Sequence, residues 1–489
     1  MIQAGNQTER HVLPRWSSIK TATKLGELTP AKIAQQNAVS SNDELSELLN
    51  QWKYEKNLPL AIEIISTARL WQSDEDLLEI EQYAKKAVSG MSHIPDLLKE
   101  LLFDKAERSS PDILSHDIYI RQTKERLLKY PRNPLLWTEL SREYTIMGQR
   151  DKGEKAIQVA HNLAPDNRTV IRSLARFYTH IGDLDRALLY LRKSPLVKTD
   201  PWVLSAEIAL SNEVKRTSRN VKIAQNMILD ANFHPLSLSE LSSELGTMDF
   251  SAGNSKKGKR KFEIAILNPY ENAVAQIVWV NKNAYNVESL IQEIPATECN
   301  FEANARLAFD SHEWKSALNV AGLWQEYQPF SREPAMLSSF LATDFLMDYA
   351  TAISSLSCSL ISNPNDCNLL NNYAYALILN NRLPEATRIY ARANKLCPSK
   401  DNIPLIATGG LLHYRKGETA EGKREYLNAI ELAKKKGDYD LVYRANLCLA
   451  REERRIGHSI DDLVKQIESP RYESLRKLYG TVIKNFELA

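Results

Sequence analysis

The sequence predicts an all-α solenoid of stacked helix pairs, and three observations predict it. The chain matches itself when slid by 34 residues, its prolines form a ladder of about that period, and glycine is scarce. Residues 133–165 read NPLLWTELSREYTIMGQRDKGEKAIQVAHNLAP. One period later Tyr144 meets Tyr178, Gly148 meets Gly182, Gly153 meets Ala187 and Ile157 meets Leu191. A fixed period of this length marks units that must stack on their neighbours to bury an apolar face. Pro131 and Pro165 stand 34 apart, as do Pro201, Pro235 and Pro269, with 36 between the two runs. Pro95 stands 36 before Pro131, and Pro329, Pro364 and Pro398 follow at steps of 35 and 34. Proline cannot continue a helix, so each rung is expected just after the second helix of a unit. Glycine, at 17 of 489, is about half its usual share. That scarcity argues against a doubly wound nucleotide fold with its phosphate turns.

Trp137, Leu140, Tyr144, Gly148, Gly153, Ile157, Ala160 and Pro165 resemble the tetratricopeptide repeat, and so do Leu370, Tyr373, Ala374, Leu377, Ala386, Tyr390, Ala393 and Pro398. The resemblance implies a right-handed solenoid of about ten units over roughly residues 60–436. It also implies a concave face lined by the first helix of each unit. Large apolar residues at helical spacing supply the packing face, and a small residue (Gly153, Ala187, Ala386) lets the second helix approach closely.

Along the chain, 1–40 is read as a polar N-terminal arm. It either lies on the first helices through Val12, Leu13 and Trp16 or is a frayed end. Residues 41–269 are N-terminal repeats, with a helix starting near Asn42-Asp43-Glu44 and another over Leu58 to Leu70. Lys261 to Val280 is rich enough in Ile, Val and Phe for a hairpin, but the proline ladder favours helices broken at Pro269. The step of 60 from Pro269 to Pro329 places an irregular unit or insertion at 270–297. Residues 298–436 are C-terminal repeats. Residues 437–489 are read as capping helices, one over Arg444–Arg455 and a last one over Tyr472–Phe486 that either caps the array or docks a partner.

Composition narrows the function. Lys plus Arg is 63 against 61 acidic residues, so bulk charge gives no reason to bind nucleic acid. The five cysteines (Cys299, Cys358, Cys367, Cys397, Cys448) show no metal-ligand spacing and are expected to be reduced, buried thiols. No signal-like segment and no run of eighteen apolar residues occurs, so a cytoplasmic location is expected. Residues 253–260 match GxxxxGK, but Arg260 replaces the magnesium-holding hydroxyl and no strand precedes it. His312-Glu313 lacks its second histidine, where Ser316 stands. With no nucleophile elbow either, no catalytic residue, metal ligand or cofactor is expected, and the chain is not read as an enzyme.

Binding is therefore the expected activity. The resemblance points Arg142, Arg172 and Arg176 into the groove, where guanidiniums suit carboxylates or phosphates. Farther on it points Leu337, Leu341, Phe345, Asn371, Tyr375 and Ile378 inward, a mixture suited to an extended or helical peptide. Asn371 has no matching lysine in the adjoining unit, so chaperone-tail binding is not expected. Lys256, Lys257, Lys259, Arg260 and Lys261 form the densest basic run, either a patch for nucleic acid or an acidic partner or a solvated loop. The reading is a protein–protein interaction scaffold holding a partner peptide or domain in its groove. The alternative is a nucleic-acid-binding or sensor subunit of a multi-protein system, such as a bacterial defence or stress system, using the basic run with the groove arginines. Only fold-level analogy supports that context.

Overall fold

Several first helices begin at a polar cap followed by an apolar stripe, and the period is visible in those caps. Asn133, Asn167, Asp200 and Asp366 each accept from backbone N–H groups of the turn they open, satisfying donors a helix start otherwise leaves unpaired. In the computed structural model, residues 10–16, 18, 41–70, 77–89, 112–229, 233–282, 287–292, 300–397 and 402–486 are described. They fold as an all-α solenoid of helix pairs.

Three helices, α1 (Ser41–Tyr54), α2 (Leu58–Leu70) and α3 (Leu78–Ser89), share a small core of their own around Trp52, Ile64 and Ile65. Helix α4 (Asp112–Lys129) leads into the array. The pairs then run α5 (Pro134–Ile146) with α6 (Arg150–Leu163), α7 (Arg168–His180) with α8 (Leu184–Lys193), α9 (Pro201–Glu213) with α10 (Val221–Leu229), and α11 (Pro235–Ser251) with α12 (Ser255–Ala265). They continue through α13 (Glu271–Val280) with the short α14 (Glu288–Gln292), α15 (Phe301–Asp310) with α16 (Trp314–Tyr327), and α17 (Glu333–Phe340) with α18 (Tyr349–Ser362). Helix α17 runs on into a π-helical turn over Leu341–Phe345. The last pairs are α19 (Cys367–Leu379) with α20 (Leu383–Leu396), α21 (Ile403–Lys416) with α22 (Thr419–Lys436), and α23 (Tyr439–Arg455) with α24 (Asp461–Ile467). Helices α25 (Glu473–Leu478) and α26 (Gly480–Asn485) close the chain.

Within pairs, the helices cross where side chains vanish. Gly153 sits against Ser141, whose hydroxyl donates to the Gly153 carbonyl at 2.7 Å. The crossing of α11 and α12 is Gly246 against Gly258, and that of α21 and α22 is Gly410 against Gly422. A Cβ on Gly258 would lie 2.8 Å from the Phe250 ring, and one on Gly422 2.6 Å from the Tyr414 ring. Gly258 is thus a helix-packing residue inside α12, which accounts for the GxxxxGK match without any phosphate loop.

Lys261 to Val280 is helical on both sides of Pro269, as the ladder implied. The ladder itself needs correcting. Pro165, Pro269, Pro329 and Pro364 do follow second helices, but Pro201 and Pro235 are the first residues of α9 and α11, where proline's missing N–H costs nothing. Pro95 and Pro398 lie outside the described residues, as does Cys299. The expectation that the thiols are all reduced also fails. Cys367, at the start of α19, is disulfide-bonded to Cys397, just past the end of α20, and Cys358 and Cys448 take no part in that bond. The expected single helix over Tyr472–Phe486 is two, broken at Tyr479.

The array returns on itself. His180, at the end of α7, donates to the Ser362 carbonyl at the end of α18, and the Arg176 guanidinium reaches the Ser331 hydroxyl at 3.1 Å. Gly148, past α5, adopts φ +66, and a Cβ there would stand 2.2 Å from the Ile361 carbonyl oxygen. The strip of units from α5 to α18 therefore closes into a ring, with this seam joining its ends.

Candidate functional site

The first helices α5, α7, α9, α11, α13 and α15 pack side by side and present their polar residues to the ring's interior. That interior is filled by the chain's own residues 10–16. They form neither helix nor strand and bend at Val12, where the Leu13 N–H donates to the His11 carbonyl at 2.8 Å; Arg10, Val12, Pro14 and Trp16 are buried and the residues between them partly exposed. Arg10 is 5% exposed, Val12 0% and Trp16 2%.

Side chains of the wall hold the main chain of the arm. The Gln276 amide donates to the Arg10 carbonyl at 2.7 Å, the Asn272 amide to the Leu13 carbonyl at 2.8 Å, and Arg142 to the Trp16 carbonyl at 3.1 Å. The Val12 N–H donates to Glu244 at 2.8 Å. These four contacts satisfy backbone groups that burial would otherwise leave at a cost of about 1–3 kcal/mol each. None of them depends on side-chain identity in the arm.

Other contacts do read side chains. Arg10 donates to Glu302, at 3.0 Å to Oε2, and also to the side chain of Asn272. Arg15 is shared between Glu271, at 3.1 Å, and Glu302. His11 contacts Glu244 at 2.9 Å. Burial alone would raise the Glu302 carboxyl, but Arg10, Arg306 and Arg15 outweigh it and hold it well below the usual carboxylate range. For Glu271 burial wins over Arg15, and its carboxyl is raised. The Trp16 ring meets Phe177 and Phe330 edge-on, with centroids 6.5 and 5.9 Å away, and belongs to the same core as Leu174, Val203 and Leu245.

Arg142, Arg172 and Arg176 all lie on this inner wall, each already partnered. Arg142 pairs with Glu143 as well as the arm. Arg172 lies over the Trp202 ring and pairs with Glu240 at 2.9 Å. Arg176 lies over Phe330, and burial lowers its guanidinium. The three are lined up, but they do not make an open anion cradle.

Leu341, Asn371 and Tyr375 are buried in the later units, together with Leu337, Phe345 and Ile378. Asn371 accepts from the Thr408 hydroxyl, and the Tyr375 hydroxyl lies beside Cys448 and Arg451. Helix α26 folds back onto this region: Asn485 donates to the Phe345 carbonyl, and the Tyr479 ring stacks near Phe345 and Tyr443. Lys256, Lys257, Lys259 and Arg260 are exposed on α12, a second helix, while Lys261 pairs with Asp249. The basic run and the groove arginines are therefore on different faces.

The residues that grip the arm, Glu244, Glu271, Asn272, Gln276 and Glu302, were missed by sequence reasoning. A signal was present: Glu240 and Glu244, and Asn272 and Gln276, are helical i, i+4 pairs. Glu240 and Asn272 stand 32 residues apart and hydrogen-bond one another, so they occupy equivalent places on successive first helices. Among the described residues, His413, Glu421 and Glu425 are the one group with metal-ligand proximity. No helix among them is long and apolar enough to cross a membrane.

No protein-family model matches the chain, and no curated protein matches it. Among solved structures it is similar to yeast Tom70, at 14% identity and a TM-score of 0.30, over 76% of this chain and 92% of that one. It is also similar to a human IFIT1 dimer with m7Gppp-AAAA, at 16% identity and a TM-score of 0.30, over 77% and 79%. A third is Naa15/Naa10 bound to HypK-THB, at 13% identity and a TM-score of 0.25, over 93% and 81%. Likeness at this level adds nothing to what the helices themselves establish.

Proposed function

We propose that the protein is a non-enzymatic interaction scaffold of tetratricopeptide type that holds an extended peptide segment of a partner protein inside its ring. One observation carries this reading. Wall side chains from α5, α11 and α13 bind main-chain groups of a non-helical segment, which is what a peptide site needs and an inert core does not. The experiment is a native-lysate pull-down, with and without nuclease, comparing wild type with Asn272→Ala/Gln276→Ala. A protein captured through nuclease treatment by the wild type and lost, at least tenfold, by the variant supports the reading. Capture of the same protein by both would place the partner elsewhere. Loss of all captured material on nuclease treatment would favour the nucleic-acid reading and direct attention to Lys256, Lys257, Lys259 and Arg260.

A further inference from the structure

Emptied of residues 10–16, the ring would expose carboxylates that the arm now serves. Glu244 would lose the Val12 N–H and His11, Glu271 would lose Arg15, and Glu302 would keep Arg306 but lose two guanidiniums. Glu240 stays matched by Arg172. Beside these carboxylates lies an apolar slot between Phe177 and Phe330, sized by the Trp16 indole. The spacing is fixed: two arginines five residues apart, with the aromatic ring directly after the second. A carboxylate pair that shares one guanidinium selects arginine over lysine, because a planar fork can serve both acids where a point charge cannot.

We propose that residues Arg10–Trp16 are a built-in occupant of the ring, and that the partner displaces them with an extended segment of like chemistry. That segment places arginine against Glu271 and Glu302 and an aromatic side chain between Phe177 and Phe330. The inference rests on the proposed peptide site and adds its regulation and its specificity. The arm competes as an intramolecular ligand, at an effective concentration that short tethers raise to the millimolar range. A free segment of equal intrinsic affinity therefore binds the intact protein far more weakly than it binds an arm-released form. The arm's main chain uses groups any peptide has, so selectivity falls on the two arginine positions and the aromatic one.

The test uses the full-length chain and a fluorescein-labelled peptide of residues 8–18, TERHVLPRWSS, read by fluorescence anisotropy. Two variants release the arm without altering the wall. Arg15→Ala/Trp16→Ala removes its anchors, and Val12→Asp sets a carboxylate against Glu244. Circular dichroism melts report that the solenoid stays folded. Both variants are expected to bind the peptide at least tenfold more tightly than wild type. Adding Glu302→Gln to either should reverse that gain, and a peptide with both arginines replaced by glutamine should lose at least tenfold. Equal affinity for wild type and the folded variants overturns the competition while leaving the peptide site standing. Unchanged binding of the glutamine peptide overturns the arginine specificity. No binding by either folded variant overturns the proposal.

Discussion

His180 sits at the seam, donating to the Ser362 carbonyl and lying edge-on to Phe330. Burial first, and Arg176 next, bring its imidazolium from 6.5 down to about 4. The unfolded chain keeps the ordinary value, so on acidification it takes up the proton before the native state does. Stability held above pH 6.5 is therefore lost as pH falls toward 4, by roughly 3 kcal/mol for a shift of this size. Melting temperatures measured at pH 7 and pH 5 should fall more for wild type than for His180→Gln, which keeps an N–H donor but cannot titrate; equal falls would clear His180. A matched pair of glycines probes the same seam. Gly148 and Gly182 both adopt positive φ, at +66 and +80, but a Cβ on Gly182 meets nothing within 4 Å. Gly182→Ala should cost only the left-handed backbone, about 1–2 kcal/mol. Gly148→Ala adds a collision with the Ile361 backbone and should cost roughly 1–3 kcal/mol more. Denaturant titration of the two variants checks the difference.

At the scale of elements, much of the array was legible. Caps, small crossing residues and apolar stripes repeat locally, so the strong units of 133–165 and 367–398 could be read from their own residues. Proline was less informative than its spacing implied, because it is as compatible with the first turn of α9 and α11 as with the residue after a second helix. The Cys367–Cys397 pairing was illegible for another reason: 30 residues separate the two, and only the antiparallel course of α19 and α20 brings their Cα atoms to 6.2 Å. By loop length alone this bond is worth about 3–4 kcal/mol. In a solenoid that sum falls mainly on one unit and its neighbours. Hydrogen exchange with and without reductant should show loss of protection concentrated in α19 and α20; a uniform loss along the array would contradict a local role.

At the scale of the whole molecule the sequence was nearly silent. Glu302 and Arg10 are 292 residues apart, and no periodicity links them; they meet because the arm lies against the wall formed by the first helices. The near balance of 63 basic and 61 acidic residues hides a local match, the arm's Arg10 and Arg15 against the wall's Glu271 and Glu302. The inward direction of Arg142, Arg172 and Arg176 was expected from the resemblance. Their being already partnered was not, since the partners come from other units or from the arm. The residues of the later units were likewise expected to face inward, while their cover, α26, comes from the far end of the described chain.

The seam of Gly148, His180 and Arg176 against residues 331–362 has a topological consequence. A hole bounded all round has no side slot, so a strand passes through it as thread passes a needle's eye, leading with a free end. The alternative is for the seam to part and shut again around the strand. A loop held at both ends in a folded domain would have to wait for that parting, whereas an unanchored tail would not. A head-to-tail cyclised form of the 8–18 peptide should therefore bind the arm-released variants more slowly than the linear form. It should catch up on acidification toward pH 4, where His180 takes up its proton and the clasp loosens.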